Sequence, residues 1–155
     1  MIRKPFFTKR APCNYSHPDA VSEDRLSLPR RIDDPATAAR VAREILRNRK
    51  EDVTLVLYRD DRHRFVGHAI VAVGWVQAAR LSAHPVLLGA EASRATGCVL
   101  IRYRRYGPRS ASVSEQASFR VIAAACSQRG LAVVDHLVVV GMIGRTSFPE
   151  RIQLT

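Results

Sequence analysis

Cysteine is scarce in this 155-residue chain, which has only Cys13, Cys98 and Cys126. The three form no Cys-x-x-Cys pair, and their odd number argues against a disulfide framework. Long apolar runs are also missing, since none reaches the roughly 18 residues that a membrane span needs. The basic N-terminus lacks the continuous hydrophobic segment of a signal peptide. We therefore expect a cytoplasmic protein of one domain, with no membrane among its partners.

Acidic residues are the second deficit, with 14 Asp and Glu against 25 Lys and Arg and a formal net charge of +11. Such a charge attracts polyanions. A coding bias that enriches arginine and alanine together would give the same balance without any polyanionic partner. The composition therefore leaves the partner unknown, with nucleic acid and an acidic protein as candidates.

Changes in the hydrophobic period divide the chain into an arm and a domain. Residues 1–30 hold four of the eight prolines and show no period, which predicts a flexible basic arm. Residues 31–155 predict an α+β domain, a mixed sheet covered by helices in the order α-β-β-α-β-α-β-β. Its expected elements are a helix opening at Asp33-Asp34-Pro35, strands 53–58 and 64–74, helix 84–96, strand 98–101, helix 115–129, strand 131–140, and a last short strand that begins at 146–148. Asp135 is expected to be buried and paired.

An arginine-rich stretch, RYRRYGPRSASVSE at residues 102–115, follows the apolar strand 98–101. Arginines interleaved with tyrosines suit phosphates and stacked bases. The nucleic-acid candidates are Tyr103, Arg105, Tyr106 and Arg109. The alternative is a solvated loop with an internal ion pair. Ser112 and Glu115 have the Ser-x-x-Glu spacing of a capping box, which favours a helix cap over a nucleophilic serine.

The order of elements, with this stretch after the central strand and VVDHLVVVG after the next helix, resembles the RadC-like JAB/MPN domain of the JAMM metalloprotease superfamily. In that family the central strand ends in His-x-His-Pro-Ser-Gly, and Ser-x-x-Asp follows. Gly107 falls on the motif glycine, Ser112 on the serine, and Asp135-His136 on the Asp-His pair after the helix. The resemblance covers about residues 50–150 and implies a JAB/MPN-like fold.

The resemblance also implies a chemistry. Two motif histidines and the aspartate hold zinc, an upstream glutamate activates the zinc-bound water, and the serine stabilises the oxyanion. Relatives hydrolyse isopeptide bonds to ubiquitin-like proteins, and RadC has been called a DNA-repair protein. Here Arg102 and Arg104 replace the histidines, Glu115 replaces the aspartate and Ile70 replaces the glutamate, with no acid from residue 62 to 90. A guanidinium group has no free lone pair for zinc.

These replacements favour a catalytically inactive, metal-free pseudoenzyme without a cofactor, acting as a binding module. We expect Glu115 to pair with Arg102 or Arg104 and so replace the metal as the link between strand and helix. Two alternatives stay open. One is an active zinc-dependent metallopeptidase whose displaced ligands would come from His63, His68, His84 and His136. The other is a DNA- or RNA-associated protein whose basic charge is its function.

Overall fold

A computed structural model of the chain describes residues 28–74, 81–108, 110–141 and 150–151. Its elements are α1 (Pro35–Ile45), β1 (Val53–Arg59), β2 (Phe65–Val73), α2 (Ala83–Ser93), β3 (Gly97–Arg104), α3 (Val113–Gln128), β4 (Ala132–Val140) and β5 (Glu150–Arg151). The predicted α+β class is confirmed. The predicted beginning of the last strand, 146–148, lies outside the described residues, and the structure describes β5 at Glu150–Arg151.

The strands form one mixed sheet in the order β2-β1-β3-β4-β5. β1 runs antiparallel to both β2 and β3, while β3 and β4 are parallel. Parallel neighbours need a crossover connection, which α3 supplies here. The crossover brings the end of β3 and the beginning of α3 to the same edge of the sheet, where the arginine-rich stretch lies.

Helices cover both faces of the sheet, and each face has its own apolar core. On the face of α1 the core includes Ala38, Val41, Leu55, Ile101 and Leu137. On the face of α2 and α3 it includes Val56, Leu100, Phe119, Cys126 and Val138. Successive strand residues point to opposite faces, so β1 and β3 contribute alternately to the two cores.

The beginning of α1 agrees with the sequence prediction. The Asp34 side chain accepts a hydrogen bond of 2.7 Å from the Thr37 N–H, and Pro35 occupies the first turn, where its missing N–H costs nothing. Val41 and Ala42, which face the sheet core, are fully buried. The helix is therefore held by its cap at one end and by core packing along its length.

The predicted arm, residues 1–30, extends too far along the chain, because its end contacts the domain in the structure. Leu28 packs against the core on the α1 face, and the carbonyl of Arg30 accepts a hydrogen bond of 2.8 Å from the Phe65 N–H. Residues 28–30 therefore belong with the sheet. The rest of the predicted arm, residues 1–27, lies outside the described residues.

The prediction that Asp135 is buried is wrong, because the first half of β4 is only partly covered. Ala132 and Val134 are exposed and Asp135 is half-buried, whereas burial is complete from His136 onward. The cause is the pairing of the strand. Its first residues pair only with β3, and the described part of β5 pairs only with Leu137 and Val138.

His136 is a fully buried polar side chain in the second half of β4. Its ring stacks on Phe119, with 4.9 Å between ring centroids and 23° between planes. Neither ring nitrogen has a hydrogen-bond partner among the described residues. Burial lowers the pKa of His136 to about 4, against an opposing effect of the Asp135 charge. The imidazole is therefore neutral in the folded domain at physiological pH.

This burial predicts an acid-sensitive stability. The pKa of His136 is lower in the folded state than in the unfolded state. As pH falls below about 6.5, His136 therefore binds a proton in the unfolded chain but stays neutral in the folded domain. The free energy of unfolding should fall between about pH 6.5 and pH 4, by up to about 3 kcal/mol. His136→Leu should flatten this dependence in urea titrations, while His84→Leu, at an exposed position, should keep it. Equal pH profiles for His136→Leu and the parent would contradict the prediction.

Candidate functional site

The end of β3 carries side chains to both faces of the sheet. Arg102 and Arg104 approach Glu115 of α3, whereas Tyr103 belongs to the core on the α1 face and is 6% exposed. The prediction that a loop begins at residue 102 is therefore wrong, because β3 continues to Arg104 through pairing with β4. The Tyr103 ring is not available to stack on a base, which corrects its place among the nucleic-acid candidates.

Arg102 is a buried cation with long contacts. Its side chain is 7% exposed and donates hydrogen bonds of 3.3 Å to Thr54 Oγ1 and to the Gly74 carbonyl. Its nearest carboxylate oxygens are 3.6 Å away on Glu115 and 3.8 Å away on Asp52. Burial lowers the pKa of Arg102, and the charges of Asp52 and Glu115 oppose that shift. Guanidinium nevertheless keeps its proton in proteins.

Arg104 makes the short contacts. Its Nη2 lies 2.6 Å from both carboxylate oxygens of Glu115, and the two side chains are only 12% and 17% exposed. Its Nη1 donates hydrogen bonds to the carbonyls of Pro108 at 2.8 Å and Ser110 at 2.9 Å. One side chain thus joins the end of β3, the following loop and the first turn of α3. The expected Arg–Glu link between strand and helix is present.

Glu115 also takes part in the cap of α3. Its Oε2 accepts a hydrogen bond of 2.8 Å from the Ser112 N–H, and its own N–H donates to Ser112 Oγ at 3.2 Å. The predicted capping box is therefore confirmed, and the helix begins at Val113, two residues before the predicted start. Burial alone would raise the pKa of Glu115. The hydrogen bonds from Arg104 and Ser112, with the charges of both arginines, outweigh burial and leave the pKa below its usual value.

Ser112 and Tyr106 are exposed in the loop between β3 and α3, and Arg105 is half-buried. The Ser112 hydroxyl is within 3.2 Å of Ser114 Oγ as well as capping α3. Tyr106 is 71% exposed, and the Arg105 guanidinium lies over its ring, 5.4 Å from the centroid. Arg109 lies outside the described residues. The structure therefore brings Arg105 and Tyr106 together and keeps Tyr103 apart from them.

Two site residues were missed by sequence reasoning. Thr54 and Asp52 reach Arg102 because β1 pairs with β3, in a register that joins Thr54 to Arg102. This pairing spans 48 residues of sequence, so no local pattern reports it. The available signal was Thr54 itself, a polar residue in the otherwise apolar run VTLVLY at 53–58.

The position assigned to the upstream glutamate is also corrected. Ile70 packs against the core on the α1 face, whereas Arg102 and Glu115 lie on the other face. The register shifts between Thr54, which pairs with Ala72, and Leu55, which pairs with Ile70. Ala72 is therefore the β2 neighbour of the site. No residue from 62 to 90 is acidic, so β2 supplies no carboxylate in either register.

The residues at this site do not fit a zinc ion. Zinc needs neutral imidazole, thiolate or carboxylate at about 2 Å, and two protonated guanidinium groups occupy the site instead. Across the described part of the chain, no three His, Cys, Asp or Glu side chains group in a way that could hold a metal. Of the proposed displaced ligands, His63 is 2.9 Å from Asp33 at the other end of β1 and β2. His136 is enclosed beside Phe119.

The fold, a mixed sheet covered by helices on both faces, is that of an α+β domain of the JAB type. The family model for the RadC-like JAB domain matches residues 32–153. The chain therefore belongs to the RadC-like JAB domain family. No helix among the described residues is long and apolar enough to cross a membrane.

The geometry predicts strong coupling between Arg104 and Glu115. In a double-mutant cycle with Arg104→Gln and Glu115→Gln, we expect a coupling energy of about 1–3 kcal/mol, because both groups are shielded from solvent. The exposed pair Arg47–Glu44, 3.5 Å apart, is the control and should couple by less than about 0.5 kcal/mol. Urea denaturation of the four variants of each cycle measures both energies. Equal coupling in the two cycles would contradict this account of the site.

Proposed function

We propose that this RadC-like JAB domain is a metal-free, non-hydrolytic protein that acts as a binding module. The observation that carries the proposal is the 2.6 Å contact of Arg104 with Glu115. By the family resemblance, these two residues and Arg102 stand where the relatives hold zinc. The site of the Lewis acid is thus occupied by the chain's own cations and their counter-charges.

Electrostatics supports a site that does not take up a metal ion. A divalent cation placed near Arg102 and Arg104 would be repelled by both guanidinium groups. The two nearby carboxylates are already engaged, Glu115 with Arg104 and Asp52 with the Arg105 N–H at 3.3 Å. Binding a metal would require these contacts to break and would leave buried arginines without their partners, which is costly.

The missing general base supports the absence of hydrolysis. Water activation needs a group that accepts a proton near the reacting carbonyl. β2 has no carboxylate, and the lowered pKa of Glu115 reflects contacts that hold its carboxylate as an ion-pair partner. Ser112 Oγ caps α3, and no histidine lies next to it in sequence. We infer that the function of this edge of the sheet is binding, without a resident cofactor. We place the protein in the cytoplasm.

The first test is the metal content of the purified protein. We expect far less than one zinc per chain by elemental analysis, and no cleavage of an isopeptide-linked ubiquitin-like substrate. About one zinc per chain, with cleavage abolished by a chelator, would support the active metallopeptidase instead and overturn the proposal.

The second test restores the ligand types. The triple variant Arg102→His, Arg104→His, Glu115→Asp should bind zinc more tightly than the parent, because it supplies two imidazoles and a carboxylate. It should remain inactive, because β2 still lacks a base. The control Arg62→His, Arg129→His adds two histidines at exposed positions outside the site and should gain no affinity. Cleavage by the triple variant would contradict the argument from the missing base.

A further inference from the structure

We propose that two neighbouring loops at this edge of the sheet form a binding surface for single-stranded nucleic acid. This inference rests on the proposed function, because it names the partner of the binding module. The side chains that these two loops present are named the loop-pair surface. Its members are Arg47, Arg49, Lys50, Arg105 and Tyr106.

The sheet register brings the two loops together. Val53 at the start of β1 pairs with Tyr103 near the end of β3 in an antiparallel register. The segment that enters β1 and the segment that leaves β3 therefore run side by side. Asp52 Oδ1 accepts a hydrogen bond of 3.3 Å from the Arg105 N–H, which links the two segments directly. We infer that the residues just before Asp52 lie beside Arg105 and Tyr106, since the antiparallel register continues in that direction.

Tyr106 gives the surface a stacking platform. Its side chain is 71% exposed, and Arg105 lies over one face of its ring, 5.4 Å from the centroid. An arginine in this position strengthens an aromatic platform by a cation–π contact and offers a charge to a nearby phosphate. The exposed ring surface can receive an unpaired base. Because every base has a flat face, such stacking tolerates most sequences.

The second loop gives the surface its charge. Arg47, Arg49 and Lys50 are exposed, and the acids within five residues of them are Glu44, Glu51 and Asp52. Glu44 pairs with Arg47 at 3.5 Å, an exposed and therefore weak contact. Counting Arg105, four cations stand against these three acids, and one of the acids, Asp52, also lies 3.8 Å from the buried Arg102. The remaining positive charge can follow a phosphate backbone past the aromatic platform.

Arg104 is a positioning residue for this surface. Its hydrogen bonds to the carbonyls of Pro108 and Ser110 fix the loop that begins with Arg105 and Tyr106. Arg104 is in turn held by Glu115 on α3. The side chains that replace the metal ligands therefore hold the binding loop in place before a partner arrives. A loop fixed in advance loses less conformational entropy when it binds.

Single strands fit this surface better than the other polyanions. An acidic peptide could contact the cations, but it would gain nothing specific from the Tyr106 ring. A duplex keeps its bases stacked on one another and offers the ring no free base face. Only an unpaired strand uses both the charges and the aromatic side chain.

The test measures binding of the full-length protein to a labelled oligothymidylate of about 12 nucleotides, by fluorescence anisotropy over a series of salt concentrations with a chelator present. Tyr106→Ala should weaken binding about tenfold without changing the salt dependence, because it removes stacking and no charge. Tyr106→Phe keeps the ring and should bind like the parent. Equal affinities for Tyr106→Ala and the parent would overturn the inference.

The charges are tested separately. Arg49→Ser with Lys50→Ser should flatten the slope of log affinity against log salt by about 1.4, the value for two lost phosphate contacts on a single strand. The control Arg62→Ser with Arg129→Ser removes two exposed arginines at the other end of the sheet and should leave the slope unchanged. If both double variants flattened the slope equally, net charge alone would explain binding. That result would overturn the assignment of the loop-pair surface as the binding site.

Competition separates this inference from the proposed function. A same-length duplex and polyglutamate should each compete at least about tenfold less well than the unlabelled strand, since neither can use the tyrosine. Equal competition would overturn the choice of partner. Zinc content and hydrolysis, measured on the same sample, judge the proposed function independently. A zinc-free, inactive protein that does not bind oligothymidylate would refute the single-stranded partner and leave the proposed function standing.

Discussion

The contact between Arg104 and Glu115 connects three parts of the chain, the end of β3, the following loop and the first turn of α3. Glu115 accepts from the arginine at the end of β3 and from the N–H of Ser112 at the cap of α3. Arg104 uses its Nη1 to donate to two carbonyls of the intervening loop. Because both side chains are largely shielded from water, the interaction is less screened than a surface ion pair. The strand end, the loop and the helix start therefore depend on one pair of side chains.

The two arginines of the cluster have different roles. Arg104 has four contacts between 2.6 and 2.9 Å, whereas those of Arg102 range from 3.3 to 3.8 Å. Short charge-assisted bonds define a geometry, and long ones mainly compensate a buried charge. We interpret Arg104 as the residue that fixes the loop. Arg102 fills the space between β1, β3 and α3 and brings Asp52 into the network.

The sequence predicted those parts of the structure that are encoded locally. The cap of α1 and the capping box of α3 each lie within four residues, and the pairing of an arginine with Glu115 needs only 11 residues of separation. The misses come from long-range pairing. Partners on β1 and β4 extend β3 and bury Tyr103, and a register shift in β2 turns Ile70 away from the site. No local period contains that information.

A cross-link made of side chains differs from a metal centre in what it requires of its surroundings. Zinc must be acquired after synthesis, and its ligands compete with every other chelator present. Arg104 and Glu115 arrive with the polypeptide, only 11 residues apart, so the loop between them closes at a small entropic cost. The link between the end of β3 and the start of α3 can thus form as soon as the chain folds, from groups that the polypeptide itself supplies.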